Sequence, residues 1–152
     1  MENTKKTVEV LNDLIEINND RADGFDRASS DLDDANIDLK ATFDRLSSDS
    51  RSNVIELAGL VGGEGDSPKD GNTLLGTLHR AWIDIKANFG GDDRHSILAE
   101  CERGEDAIKK AYRDALSENE LGQNVRDVLL KQQNTINLSH DAIKALRDAH
   151  AG

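Results

Sequence analysis

Apolar residues return every three or four positions along successive long stretches of this chain, a period that only amphipathic helices sustain over so many residues. In the first stretch, from about residue 4 to about 25, Val8, Val10, Leu11, Leu14, Ile15, Ile17, Ala22 and Phe25 share one half of a helical wheel. Glu9, Asp13, Glu16 and Asp20 share the other half. The second stretch, about 31 to 61, carries Leu32, Leu39, Phe43, Leu46, Leu57 and Val61 in one stripe, with Ser50 and Asn53 inside it. Ser29, Ser30 and Asp31 between the two are of N-cap type. Residues 62–72, rich in Gly and Asp and holding the single Pro, read as a loop. A shorter amphipathic stretch, about 73 to 89, follows with Leu75, Leu78, Trp82, Ile85 and Phe89 on one side. The fourth, about 93 to 116, aligns Ile97, Leu98, Cys101, Glu105, Ile108, Tyr112 and Ala115. Ser117 and Glu120 have capping-box spacing, which predicts a last helix over about 118 to 150 with Val125, Leu129, Gln132, Ile136, Ser139, Ile143 and Leu146 inside.

Four of these stretches have about 22 to 33 residues, or roughly 33 to 50 Å of helix. Short links join the first pair and the last pair, which makes each pair an antiparallel hairpin. The middle connection is long enough to travel most of the length of the bundle. The expectation is an all-α, four-helix bundle of two antiparallel hairpins, with a long crossover that contains a short extra helix. That is the connectivity of ferritin-like bundles, and residues 1–152 read as one such domain.

Composition removes other classes. A formal net charge of −11 is the wrong sign for coating nucleic acid or an anionic membrane surface. One Cys excludes a disulfide framework or a cysteine-based metal cluster. Aromatic content of 3% with one Pro argues against a β-sandwich. No apolar run has the length of a membrane span or the form of a signal peptide, so the expected location is the cytoplasm. The Gly62–Asp66 segment is acidic and lacks the Lys-Ser/Thr of a phosphate loop, and no Gly-x-Ser-x-Gly elbow occurs.

Three segments carry a resemblance: Leu78 to Lys86, Gly90 to Asp93, and Ile97 to Asp106. With the opening Val10 to Glu16 and the closing His140 to Asp148, they resemble an uncharacterised bacterial four-helix-bundle family, a domain of unknown function in the ferritin-like superfamily. The resemblance implies a ferritin-like fold over nearly the whole chain and supplies no activity. A link to stress responses is an analogy at the level of such relatives.

A ferritin-like di-metal centre takes one Glu from each of two helices and a Glu-x-x-His pair from each of the other two. Of His79, His95, His140 and His150, none has a Glu three residues before it. Only the fourth segment sets an acid, Glu105, in mid-stripe. Counted outward from the last turn, Glu105 should lie level with Gln132 and Gln133, and roughly level with Ile15, Thr42 and Phe43. His140 should lie most of two turns away, near Leu98. The expectation for Glu105 is a buried carboxylate bonded to an amide or a Tyr hydroxyl, because an inward charge must find a partner. His140 reads as a satisfied boundary histidine. His79, Arg80 and Trp82 form either an interaction patch or, more simply, an anchor for the crossover helix. Asp66 to Gly71 echoes a calcium loop but has Pro68 at a ligand position.

Two functional readings follow. The first is a non-catalytic binding or structural bundle without a di-iron centre or other cofactor. It would be a homodimer through apolar residues off the main stripes, Ile37, Ile55, Leu130 and Leu138, with no nucleic-acid or membrane partner. The alternative is an iron or other divalent-metal protein, an oxidase or iron-handling enzyme, with Glu105, Glu102 and His140 as ligands of an irregular site.

Overall fold

The computed structural model describes residues 4–32, 37–63 and 94–149. Among them are four helices and no strand: α1 (Thr4–Asp31), α2 (Ile37–Gly63), α3 (Arg94–Leu116) and α4 (Gln123–Ala149). The fold is an all-α four-helix bundle. The crossover helix expected over 73–89, and with it the His79, Arg80 and Trp82 patch, lies outside the described residues.

Three boundaries differ from the sequence reading: the end of α1, the start of α2, which is Ile37 instead of about residue 31, and the start of α4. α1 runs to Asp31 instead of ending near Phe25. Ala28 and Leu32 are buried and continue its stripe past Phe25 at helical spacing. Ser30 turns its hydroxyl back onto the Asp26 carbonyl at 3.0 Å, so it is satisfied inside a helix and caps nothing. At the other link, the Ser117 hydroxyl donates to the Asp114 carbonyl at 2.6 Å, and its amide donates to the Arg113 carbonyl at 3.1 Å. Ser117 therefore finishes α3 and does not open α4. The first turn of α4 closes instead on the Gly122 carbonyl, which accepts the Arg126 amide at 3.0 Å. The Arg126 guanidinium reaches back to the carbonyls of Leu116 and Glu118, which satisfies acceptors that the end of α3 leaves open.

The hydrogen bonds between helices fix their directions. Asn18 meets Asn53 and Arg21 meets Ser50, so α1 and α2 are antiparallel. Tyr112 meets Gln132 and Glu105 meets Ser139, so α3 and α4 are antiparallel. Asn18 meets Tyr112 and Arg21 meets Glu105, so α1 is antiparallel to α3 as well. Glu56 meets Gln132, beside Asn53, and α2 packs on α4. The order is thus up, down, down, up. Because α2 and α3 run the same way, Gly63 and Arg94 lie at opposite ends of the bundle.

The core is divided in two. At one end Leu11, Leu14, Leu57, Val61, Ile108 and Val125 pack together with their neighbours. At the other Phe25, Leu39, Phe43, Leu46, Leu98 and Ile143 do so. The Phe25 and Phe43 rings stand 5.4 Å apart, tilted by 35°. Each fully buried side chain of this size contributes about 1.5–3 kcal/mol. Between the two apolar ends lies a polar midsection.

Candidate functional site

The midsection consists of two layers, and every helix contributes to both. The first holds Asn18, Asn53, Tyr112 and Gln132, all buried. The Asn53 amide donates to the Asn18 carbonyl oxygen at 3.1 Å, and Asn18 donates to the Tyr112 hydroxyl at 2.9 Å. Tyr112 donates to Gln132 Oε1 at 2.7 Å, and Gln132 donates to Glu56 Oε1 at 2.9 Å. Lys131 holds the other Glu56 oxygen at 2.8 Å. The chain of donors thus runs from the interior to a half-buried carboxylate. Burial holds the Tyr112 hydroxyl well above its ordinary pKa, so it stays a donor. The hydrogen bond from Lys131, with that from Gln132, holds the Glu56 carboxyl below its ordinary value, so it stays an acceptor.

The second layer is charged. Arg21 (1% exposed) faces Glu105 (0% exposed). Nε donates to Oε1 at 2.5 Å and Nη2 to Oε2 at 2.9 Å, a bidentate fork. Nη1 donates to the Ser50 hydroxyl at 2.7 Å, and Nη2 also reaches Ser139 at 2.9 Å. Ser139 Oγ in turn lies 2.8 Å from Glu105 Oε2. One face of the guanidinium covers the Phe25 ring, 5.3 Å from its centroid. A buried charge is tolerable only when a counter-charge and further hydrogen bonds are supplied, and here Glu105, Ser50 and Ser139 supply them.

Glu105 is therefore the inward carboxylate that its place in the stripe predicts, but its partners are Arg21 and Ser139 in place of an amide or the Tyr hydroxyl. Its level is also corrected. It lies opposite Ser139, seven residues beyond Gln132, and beside Arg21 and Ser50 in place of Ile15, Thr42 and Phe43. The shift along α4 follows from its later start: residues 117–122 are spent on the link, so every pair between α3 and α4 moves along α4. The same shift brings His140 level with Asp106 instead of Leu98.

A second cluster sits at the α3–α4 edge. Glu102 and Asp106 are one turn apart on α3 and share a face. His140 Nε2 lies 2.6 Å from Asp106 Oδ1 and 4.0 Å from Glu102 Oε1. The other Glu102 oxygen, Oε2, holds Arg147. One ligand atom from each of Glu102, Asp106 and His140 lies within 4.8 Å of the other two. The structure thus brings Glu102 and His140 together, adds Asp106, and keeps Glu105 inside the bundle with Arg21.

The midsection does not fit a di-metal centre. Such a centre needs several inward carboxylates and two inward imidazoles. Among the described residues the midsection has one fully buried carboxylate, Glu105, and a guanidinium occupies its oxygens. Outside the core, Ile37, Ile55, Leu130 and Leu138 are exposed. No described helix is long and apolar enough to cross a membrane.

Sequence comparison adds one finding. Residues 6–118 match a family described as a domain of unknown function (DUF2383). The matched range takes in Arg21, Ser50 and Glu105 and stops before α4 begins. No curated protein matches the chain.

Proposed function

The chain belongs to the family described as a domain of unknown function (DUF2383), and we propose that it is a non-catalytic ferritin-like bundle, one domain that serves as a binding or structural module without a di-metal centre. The observation that carries this reading is the Arg21–Glu105 pair. It puts a fixed organic cation, with its carboxylate and two serine hydroxyls, at mid-bundle, where metal ligands would have to converge. The up, down, down, up order supports the ferritin-like part, since a bundle with one long crossover has that order. The exposed Ile37, Ile55, Leu130 and Leu138 support a homodimer, and a monomer mass in sedimentation at about micromolar concentration would remove that part.

The test is aerobic incubation of the full chain with ferrous iron, followed by desalting and elemental analysis. The expected result is no iron whose retention depends on Glu105. About two irons per chain, lost in Glu105→Gln, would overturn the reading.

A further inference from the structure

We infer that Glu102, Asp106 and His140 form a mononuclear site for a divalent first-row transition ion, of the zinc class, that clips α3 to α4. Three observations converge on it. The first is the donor set: two carboxylate oxygens and one imidazole nitrogen, with one atom of each within 4.8 Å of the other two. Two ligands of one tetrahedral ion stand about 3.3 to 3.6 Å apart when each lies about 2.0–2.2 Å from it. The 2.6 and 4.0 Å separations from Nε2 bracket that range, so small rotations of Asp106 and Glu102 suffice. Imidazole among oxygens favours zinc and its neighbours over calcium or magnesium.

The second observation is Arg147. It holds Glu102 Oε2 and leaves Oε1 directed at the His140 ring. The arginine orients the carboxylate and does not occupy the oxygen that faces the cluster.

The third is His140 itself, 9% exposed, whose Nδ1 is buried and has no hydrogen-bond partner. When Nε2–H donates to Asp106, Nδ1 of the neutral ring is a lone pair with no donor to meet it. A cation on Nε2 moves the ring proton to Nδ1. The Asp141 carboxylate, exposed and 3.6 Å from Nδ1, then has a proton to accept after a small rotation. Carboxylate, histidine and metal in that sequence are the usual arrangement around a ligating imidazole. An imidazolium ring would use the same two aspartates without an ion, and the titration below separates the two cases.

Zinc chloride titrated calorimetrically into the metal-stripped full chain should show about one ion per chain. Asp106→Asn, on an exposed side chain, should weaken binding at least about tenfold, and Asp141→Asn about tenfold. His140→Gln should abolish the stoichiometric step, and circular dichroism checks that each variant folds. Absence of a one-to-one zinc step in the wild type overturns the site. So does a step that Asp106→Asn and His140→Gln leave within about twofold. Iron held at the bundle centre would be indifferent to Asp106→Asn, so failure of the proposed function and failure of this site are read separately.

Discussion

Replacing Glu105 by Gln keeps the side chain's size and removes its charge, which leaves the Arg21 guanidinium buried without a counter-ion. Arg21 is 1% exposed, so water cannot replace the lost carboxylate, and the Ser50 and Ser139 hydroxyls carry no charge. Removing one partner of such a pair costs about 3–5 kcal/mol. Against a total stability of about 5–15 kcal/mol, that is a large share. For a chain of this length each kcal/mol moves the midpoint by about 2–4 °C, so the melting temperature should fall by roughly 6–20 °C. Urea denaturation followed by circular dichroism and by calorimetry at neutral pH gives both numbers. The companion variant Arg21→Met with Glu105→Leu removes both charges together. It should recover most of the loss, because the attraction within a buried pair is largely offset by its desolvation. A Glu105→Gln variant within about 1 kcal/mol of wild type would refute this account, as would a double variant whose cost equals that of the two single changes added together.

Other expectations concern the layers around this pair. Tyr112→Phe removes the hydroxyl that accepts from Asn18 and donates to Gln132. It should cost about 1–3 kcal/mol in urea denaturation, the price of a buried acceptor left unmet. Phe43→Ala at the other end of the bundle should cost about 3–5 kcal/mol, and an unchanged urea midpoint would show that the ring is not packed as described. Glu56 has a folded pKa lowered from its ordinary 4.5 by the hydrogen bond from Lys131 and then by that from Gln132. Its contribution is therefore complete above that value and is lost as pH falls through the lower folded value. The stability difference between wild type and Lys131→Ala should be constant near neutral pH and shrink in acid below about 4.5. A difference that widens there would contradict the sign.

The four long helices, their antiparallel pairing within each hairpin and the inward position of Glu105 were legible in the sequence, because a 3.6-residue period survives any single polar interruption. The partner of Glu105 was not. Arg21 stands four residues after Ile17 and four before Phe25, squarely in the stripe of α1, yet a wheel read by polarity assigns a charge to the solvent side. The usable signal was physical: a lone carboxylate in mid-stripe requires a cation, and α1 offers one at the matching phase. Among the described residues Arg21 is the one buried arginine or lysine. The capping-box spacing of Ser117 and Glu120 misplaced the start of α4, because a hydroxyl bonds as well to the carbonyl behind it as to the amide ahead. That local choice moved every pairing between α3 and α4, and with it the position of His140. The Glu102, Asp106 and His140 cluster depends on that pairing, so helical periodicity alone could not have assembled it.

The distribution of the midsection between the hairpins has a consequence for assembly. Arg21 and Ser50 belong to the α1–α2 hairpin, and Glu105 and Ser139 belong to the α3–α4 hairpin. Neither half can close its apolar face alone without stranding a charge in it. Two copies of the first hairpin would press guanidinium against guanidinium, and two copies of the second would press carboxylate against carboxylate. Only a first hairpin with a second one neutralises the interior. The pair therefore works as an address that tells each half-bundle which surface to accept.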